Sequence, residues 1–196
     1  MAESKLNKSF RAIVIGGSAG GLDVVLKLLS ALEPTLSVTI IIVLHRKSTV
    51  DSTLEELLAS RTRIAVKEVE DKDAIRTGTI YLAPANYHLL IEQDLTFSLD
   101  DSEKVNYSRP SIDVTFESAA DIYGDSLVGI LLSGANADGT NGLLAVKKAG
   151  GITVAQEPAG AQSAFMPQQA ISNVPIDFVL DIPELITFVN SLNRPA

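Results

Sequence analysis

Three residues of this chain have types and positions that could do nucleophilic chemistry together. Ser18 sits in Gly16-Gly17-Ser18-Ala19-Gly20, with glycine two places to either side. That spacing fits the G-x-S-x-G turn that lifts a hydroxyl between a strand and a helix. The glycines permit the tight turn, and the helix start behind it offers unpaired N–H groups to a developing oxyanion. A serine nucleophile needs a base, and the chain has two histidines. His45 directly follows the apolar run 38–44, whereas His88 begins a short hairpin strand. The geometry therefore favours His45 as base and His88 as a histidine bridging loop and strand. The orienting carboxylate should also lie just past a strand. Asp138 is the one acid in the loop Ser133-Gly134-Ala135-Asn136-Ala137-Asp138 that follows the apolar run 127–132.

Each residue also has a plainer reading. Ser18 could belong to a structural turn, or to a phosphate-binding turn of the G-x-G-x-x-G kind. Against the latter, Ser18 stands at the middle glycine, and the second strand ends in His45-Arg46-Lys47 rather than in an acid for a ribose. His45 could be a polar residue at a strand end bonded to backbone. Asp138 could cap the helix that starts near Leu143, or make an Asx turn. Arg109-Pro110-Ser111 reads as a helix entry that could face the site. Phe165-Met166-Pro167 could line a pocket wall or pack in the core. Asp71, Asp73, Asp100, Asp101 and Glu103 read as solvated loop charges. No metal-ligand spacing is present, so neither a metal nor a cofactor is expected.

The elements that must hold these residues alternate along the chain. Strands are expected at 10–15, 38–44, 64–69, 79–82, 127–132, 152–155 and 177–180. Helices are expected at 22–32, 52–60, 112–123, 143–149 and 183–192, with Ser111 as an N-cap and a helical turn at 167–171. Residues 88–92 and 95–99 alternate as a hairpin suited to an edge. Continuous apolar strands joined by helices imply a doubly wound, mostly parallel α/β sheet with helices on both faces and a small antiparallel hairpin at an edge. In such sheets sites gather beyond the carboxyl ends of the strands, where Ser18, His45 and Asp138 all fall.

Bulk properties narrow the function. The chain has 196 residues and no cysteine, which suits one well-buried domain and excludes disulfides and thiolate metal sites. A net charge of -8 excludes a basic nucleic-acid-binding face. The longest apolar run is too short to insert in a bilayer, and residues 1–8 lack a signal peptide's apolar core. The expectation is a cytoplasmic protein with a flexible N-terminus at 1–9 and one catalytic domain at 10–196.

The chain from Phe10 to Leu192 resembles the catalytic domain of CheB-type protein-glutamate methylesterases, the chemotaxis receptor demethylases. The motifs are Ile15-Gly16-Gly17-Ser18-Ala19-Gly20-Gly21, His45 after its strand, and Gly78-Thr79-Ile80-Tyr81-Leu82-Ala83-Pro84-Ala85-Asn86-Tyr87-His88-Leu89. Arg109-Pro110-Ser111-Ile112-Asp113-Val114, Leu132 to Gly139, and Val154 to Pro158 before Met166-Pro167 complete them. The resemblance implies hydrolysis of glutamate γ-methyl esters, and deamidation of certain glutamines, on cytoplasmic helices of methyl-accepting chemoreceptors. It implies Ser18 as nucleophile, His45 as base, Asp138 as its orienter, and the Ala19 and Ala135 N–H groups as oxyanion donors.

Three departures stand out. The receiver domain usual in the family is not expected within residues 1–196, which leaves control to a separate receiver protein as an alternative. Ser133-Gly134-Ala135-Asn136 replaces the usual Thr-Gly-Met-Gly. Leu44 and Arg46 flank the histidine where Gln and Met are usual. The pocket walls, with Arg46, Arg109 and Met166 as expected rim residues, therefore differ. A rim of Arg46, Lys47 and Arg109 would have to offset the net acidity when an acidic receptor docks. A catalytically weak module that binds a receptor or signalling partner is the alternative reading.

Overall fold

The structure is a computed structural model that describes residues 9–35, 37–46 and 53–192. The expected flexible N-terminus lies outside the described residues except for Ser9, and Lys47 lies outside them too. Nine strands are described: β1 (Ala12–Gly17), β2 (Thr39–Leu44), β3 (Ala65–Glu68), β4 (Thr79–Leu82), β5 (His88–Ile91), β6 (Phe97–Asp100), β7 (Leu127–Leu131), β8 (Ile152–Gln156) and β9 (Phe178–Leu180). The α-helices are α1 (Gly21–Ala31), α2 (Leu54–Ala59), α3 (Ile112–Tyr123), α4 (Thr140–Lys148), α5 (Phe165–Asn173) and α6 (Ile182–Leu192).

Seven strands form one parallel sheet in the order β3-β4-β2-β1-β7-β8-β9. Alternate residues of its central strands feed two separate cores. Ile13, Ile15, Ile40, Ile42, Val128 and Ile130 face α1 and α6, packing on Val25, Leu28, Leu185 and Val189. Ala12, Val14, Ile41, Val43 and Leu131 face α3, α4 and α5, packing on Phe116, Val146 and Met166. Both faces are covered, so the strands read as unbroken apolar runs.

The hairpin differs from expectation in one respect. β5 and β6 do not extend the edge of the parallel sheet but form a two-stranded sheet of their own. Leu89, Ile91 and Phe97 are buried in the same core as Phe116 and Ile112, so the hairpin covers α3. The alternation of the two short strands was read correctly, but it carries no information about which element the apolar face meets.

The chain builds outward from β1, first to β2 on one side and later to β7 on the other. The crevice at such a reversal, beyond the carboxyl ends, is where this architecture leaves room for a ligand.

Candidate functional site

Strand register sets the site. Gly17 pairs with Leu44, and the His45 N–H continues the ladder onto the Gly17 carbonyl at 3.1 Å. On the other side the Ser18 N–H donates to the Ser133 carbonyl at 2.9 Å. Ser18, His45 and the start of the β7–α4 loop are therefore adjacent by backbone hydrogen bonding alone. Two glycines make the turn after β1 feasible. A Cβ on Gly16 would lie 2.3 Å from Ile112 Cγ2, so only glycine lets α3 approach. Gly20, the N-cap of α1, has φ of 82°, a conformation that L side chains rarely adopt.

His45 and Asp138 meet directly. Nε2 of the ring is 2.7 Å from Asp138 Oδ2. The Asp138 carboxylate is fully buried and also accepts from the Ile112 N–H at 2.7 Å, the Asp113 N–H at 3.1 Å and Ser111 Oγ at 2.8 Å. It thus sits at the positive N-terminal end of α3. Burial alone would push its pKa up. The His45 and Ile112 hydrogen bonds, the His45 charge and the Ser111 hydroxyl outweigh that and hold it below the ordinary aspartate range. An ionised Asp138 accepting from Nε2 leaves Nδ1 as the ring nitrogen able to take a proton.

The plainer reading of Asp138 as a helix cap is half realised, at a different helix. Gly139 stands at the N-cap of α4, while Asp138 serves the first N–H groups of α3 from outside it. Ser111 is the N-cap of α3, as expected, and its Oγ accepts from the Val114 N–H. Its hydroxyl proton goes to Asp138.

Nδ1 of His45 faces a residue that sequence reasoning missed. Ser108 Oγ lies 3.3 Å from it, and no hydrogen bond among the described residues joins the imidazole to the Ser18 hydroxyl. Asn106 and Asn136 were also missed. Asn106 Nδ2 donates to Asp113 Oδ2 at 2.8 Å and reaches Asp138 Oδ1 at 3.3 Å. Asn136 Nδ2 donates to Ser108 Oγ at 3.1 Å. Burial pushes the neighbouring Asp113 up to about 6, against the Gly142 N–H and with the Asp138 charge adding to the rise. The available signal was three short polar residues, Asn106, Ser108 and Ser111, close before a helix whose start faces a buried acid.

His88 is buried and fully engaged. Its Nδ1 accepts from the Ser111 N–H at 3.1 Å, so Nε2 carries the proton and donates to the Glu103 carbonyl at 2.9 Å. It bridges loop and helix and has no lone pair to offer.

The Ala19 and Ala135 N–H groups donate to no group among the described residues. The loops that carry them are tied together by Ser133, which donates through Oγ to the Ala19 carbonyl at 2.6 Å and through its N–H to Gln156 Oε1 at 2.9 Å. Met166 is no rim residue. It is fully buried, and a Cβ on Gly134 would lie 2.5 Å from its sulfur, so it packs under the loop bearing Ala135. A long apolar side chain on the inner side of α5 has the core as its nearest apolar surroundings.

Beside His45 opens a cavity of about 500 Å³ lined by Arg46, Asn86, Lys104, Tyr107, Ser108 and Arg109. The two arginines line it but are turned to their own chain. Arg46 Nη2 bonds Glu68 Oε2 and the Ala83 carbonyl, and Arg109 Nη1 bonds the Asp101 and Ser102 carbonyls. Lys104 is exposed and also lines the cavity. Among the described residues no cluster could hold a metal ion, and no helix is long and apolar enough to cross a membrane.

Comparison with known proteins gives consistent results. The profile of the CheB methylesterase family matches residues 13–189. A putative protein-glutamate methylesterase/protein-glutamine glutaminase of Leptospira interrogans is 44% identical over 177 residues, 90% of this chain and 92% of that protein. The protein-glutamate methylesterase/protein-glutamine glutaminase of Paraburkholderia xenovorans is 35% identical over 178 residues, 89% of this chain and 49% of that longer protein. The crystal structure of the Thermotoga maritima CheB methylesterase catalytic domain superposes with a TM-score of 0.89 at 31% identity, covering 94% of this chain and all of that one.

Proposed function

The chain belongs to the CheB methylesterase family, and on that premise we propose that it hydrolyses glutamate γ-methyl esters, and deamidates glutamines, on helices of a chemoreceptor. The observation that carries the reading is the imidazole of His45 held by an ionised, buried Asp138 one ladder step from Ser18. Catalytic hydrogen bonds are often long or unmade before substrate binds, so the serine–imidazole contact is assigned to the substrate complex.

Ser18 Oγ attacks the ester carbonyl carbon and its proton passes to His45 Nδ1. The carbonyl oxygen becomes an oxyanion held by the Ala19 and Ala135 N–H groups. Collapse breaks the carbon–oxygen bond, and Nδ1–H gives its proton to the leaving methoxide, releasing methanol. Water, deprotonated by Nδ1, then attacks the acyl-serine, and as the bond to Ser18 Oγ breaks Nδ1–H returns the proton to that oxygen and the glutamate is freed. With a glutamine side chain the leaving group is ammonia. Asp138 keeps the proton of the resting ring on Nε2 and stabilises the imidazolium without itself taking a proton.

The substrate is acidic and so is the chain, so docking depends on local charge. Arg46 and Arg109 shape the cavity wall, and Lys104 supplies the cation that faces an incoming carboxylate.

The test is a fluorophosphonate probe followed by methanol release from membranes carrying methylated receptors. Wild-type protein should label and release methanol, and Ser18→Ala should do neither. A wild-type protein that binds receptor yet neither labels nor releases methanol would make the binding module the correct reading.

A further inference from the structure

Large apolar side chains on the outside of this chain gather near the site. Five are exposed among the described residues: Tyr87, Val105, Tyr107, Phe165 and Val179. Val179 lies on the edge strand β9. Tyr87 follows Asn86, which lines the cavity beside His45, and Val105 and Tyr107 belong to the turn between the hairpin and α3 that lines it too. Val105 and Ser108 close that turn with two backbone hydrogen bonds, at 3.2 and 2.9 Å. Tyr107 at its tip has φ of 63°, which a bulky residue rarely adopts, and its side chain is 95% exposed. The conformation brings the ring no packing within its own chain. Backbone strain of this kind clusters at ligand clamps and active sites.

Hydrogen bonds attach Tyr107 and Phe165 to the two chain neighbours of Ala135. The Asn136 amide donates to Ser108 Oγ at 3.1 Å and to the Asn106 carbonyl at 3.4 Å, so the turn bearing Tyr107 rests on Asn136. The Gly134 N–H donates to the Ser163 carbonyl at 3.1 Å, and the Gly134 carbonyl accepts from the Met166 N–H at 2.9 Å, so the segment bearing Phe165 rests on Gly134. Phe165 opens α5 and is half exposed, whereas Met166 beside it is buried.

We propose that Tyr107 and Phe165 are specificity-determining residues: they dock an amphipathic helical segment of the substrate polypeptide by its apolar side chains and so bring its ester to Ser18. The inference rests on the esterase reading above, which supplies the substrate. Rings carried on hydrogen-bonded backbone lose little freedom on contact, and each can bury a large apolar area. On a helix, residues three and four places from the ester share its face, so apolar side chains there reach the two rings as the ester reaches the serine. Lys104, in the same cavity wall, suits acidic residues along the edge of that helix.

The experiment uses the full chain and two synthetic helical peptides of equal charge, each carrying one glutamate γ-methyl ester. One peptide has leucine three and four places to either side of the ester, and the other has alanine there. The ratio of kcat/KM between them is read for wild type, Tyr107→Ser, Phe165→Ser and Tyr107→Phe. Each ratio compares two peptides on one preparation, so a change in folded fraction cancels. Wild type should prefer the leucine peptide by about tenfold or more, and each serine variant should cut that preference by about 3- to 10-fold, the size expected for one aromatic anchor. Tyr107→Phe should keep it. A wild type without preference overturns the proposal, and so does a preference that survives in either serine variant. Self-association of wild type in sedimentation, lost in both serine variants, would make the rings an interface between copies and also overturn it. Affinity of both peptides for Ser18→Ala, read by fluorescence anisotropy, separates the two readings. If wild type hydrolyses neither peptide while Ser18→Ala still prefers the leucine peptide, the esterase fails and the docking is supported. Hydrolysis of both peptides without preference defeats the docking alone.

Discussion

The two histidines meet the same helix start by different routes, and the difference separates a structural ring from a chemical one. His88 takes the Ser111 N–H on one nitrogen and gives its proton to the Glu103 carbonyl on the other. Both partners are neutral backbone groups, and the ring is 1% exposed. His45 reaches the N–H groups of Ile112 and Asp113 through Asp138. Its partner is a carboxylate, and its second nitrogen looks toward a hydroxyl beside an open cavity. An imidazole whose two sites are consumed by backbone is a brace. One whose charge is stabilised on one side and whose other nitrogen stays reachable can move protons.

Substitution should pull the two apart. His45→Gln should lower turnover on the order of a thousandfold or more while leaving the unfolding midpoint near that of wild type. His88→Leu should do the reverse. It leaves a buried N–H and a carbonyl unpaired, and should cost roughly 2–4 kcal/mol in urea denaturation with turnover per folded molecule within about tenfold. If His88→Leu lost activity while keeping its stability, the assignment of roles would be wrong.

Asp138→Asn joins both effects in one residue. The amide cannot hold the resting proton on Nε2 as a carboxylate does, and turnover should fall on the order of a thousandfold. Because the same oxygens serve the first turn of α3, urea denaturation should also show a loss of roughly 1–3 kcal/mol, unlike His45→Gln.

Asp113 sharpens the comparison through pH. Its folded pKa is pushed up to about 6 from 3.8, so between these values the folded chain holds a proton that the unfolded chain has released. Stability should therefore fall as pH rises from about 4 to 6 and level off above. Asp138 is shifted the other way, so its contribution is present above 3.8 and is lost only as pH falls below that. Asp113→Asn should remove the decline between pH 4 and 6. Equal slopes in variant and wild type, measured by urea unfolding at several pH values, would assign the decline to another group.

The smallest effect is expected at the cavity mouth. Lys104→Glu should slow hydrolysis of a methylated, glutamate-rich polypeptide by about two- to fivefold and leave a small neutral ester unaffected, with the difference shrinking at high salt. Arg46→Glu is a poorer probe, because it would set a carboxylate against Glu68. Equal losses on both substrates for Lys104→Glu would remove the charge argument.

The central strands were legible because both faces of the sheet are covered and they are therefore continuous apolar runs, and observed strand boundaries fall within about two residues of those expected. The 167–171 turn proved to be the longer helix α5, because Pro167 sits in its first turn where proline is tolerated. The placement of Ser18, His45 and Asp138 was legible because Ser18 and His45 follow strands directly and Asp138 lies in the loop after a third, and a parallel sheet collects such residues at one end. The contacts of Ser108 and Asn106 were not, since polar residues in a turn have no period and their partners lie far along the chain. Met166 was expected at the rim and is buried, whereas Arg46 does line the cavity, but with its guanidinium turned to its own chain. One faces the core, and the other faces Glu68 across the sheet edge.

Local pattern alone thus determined which segments are strands of a parallel sheet, and which three side chains fall beyond their carboxyl ends. What needed the folded molecule was the wiring between those side chains. The His45–Asp138 contact spans 93 residues and the His45–Ser108 contact 63, and which nitrogen meets which oxygen depends on rotamers set by packing from α3 and its preceding turn. Hydrophobic periodicity is a property of neighbours in the chain, whereas a hydrogen bond between distant side chains exists only once the backbone has been brought together.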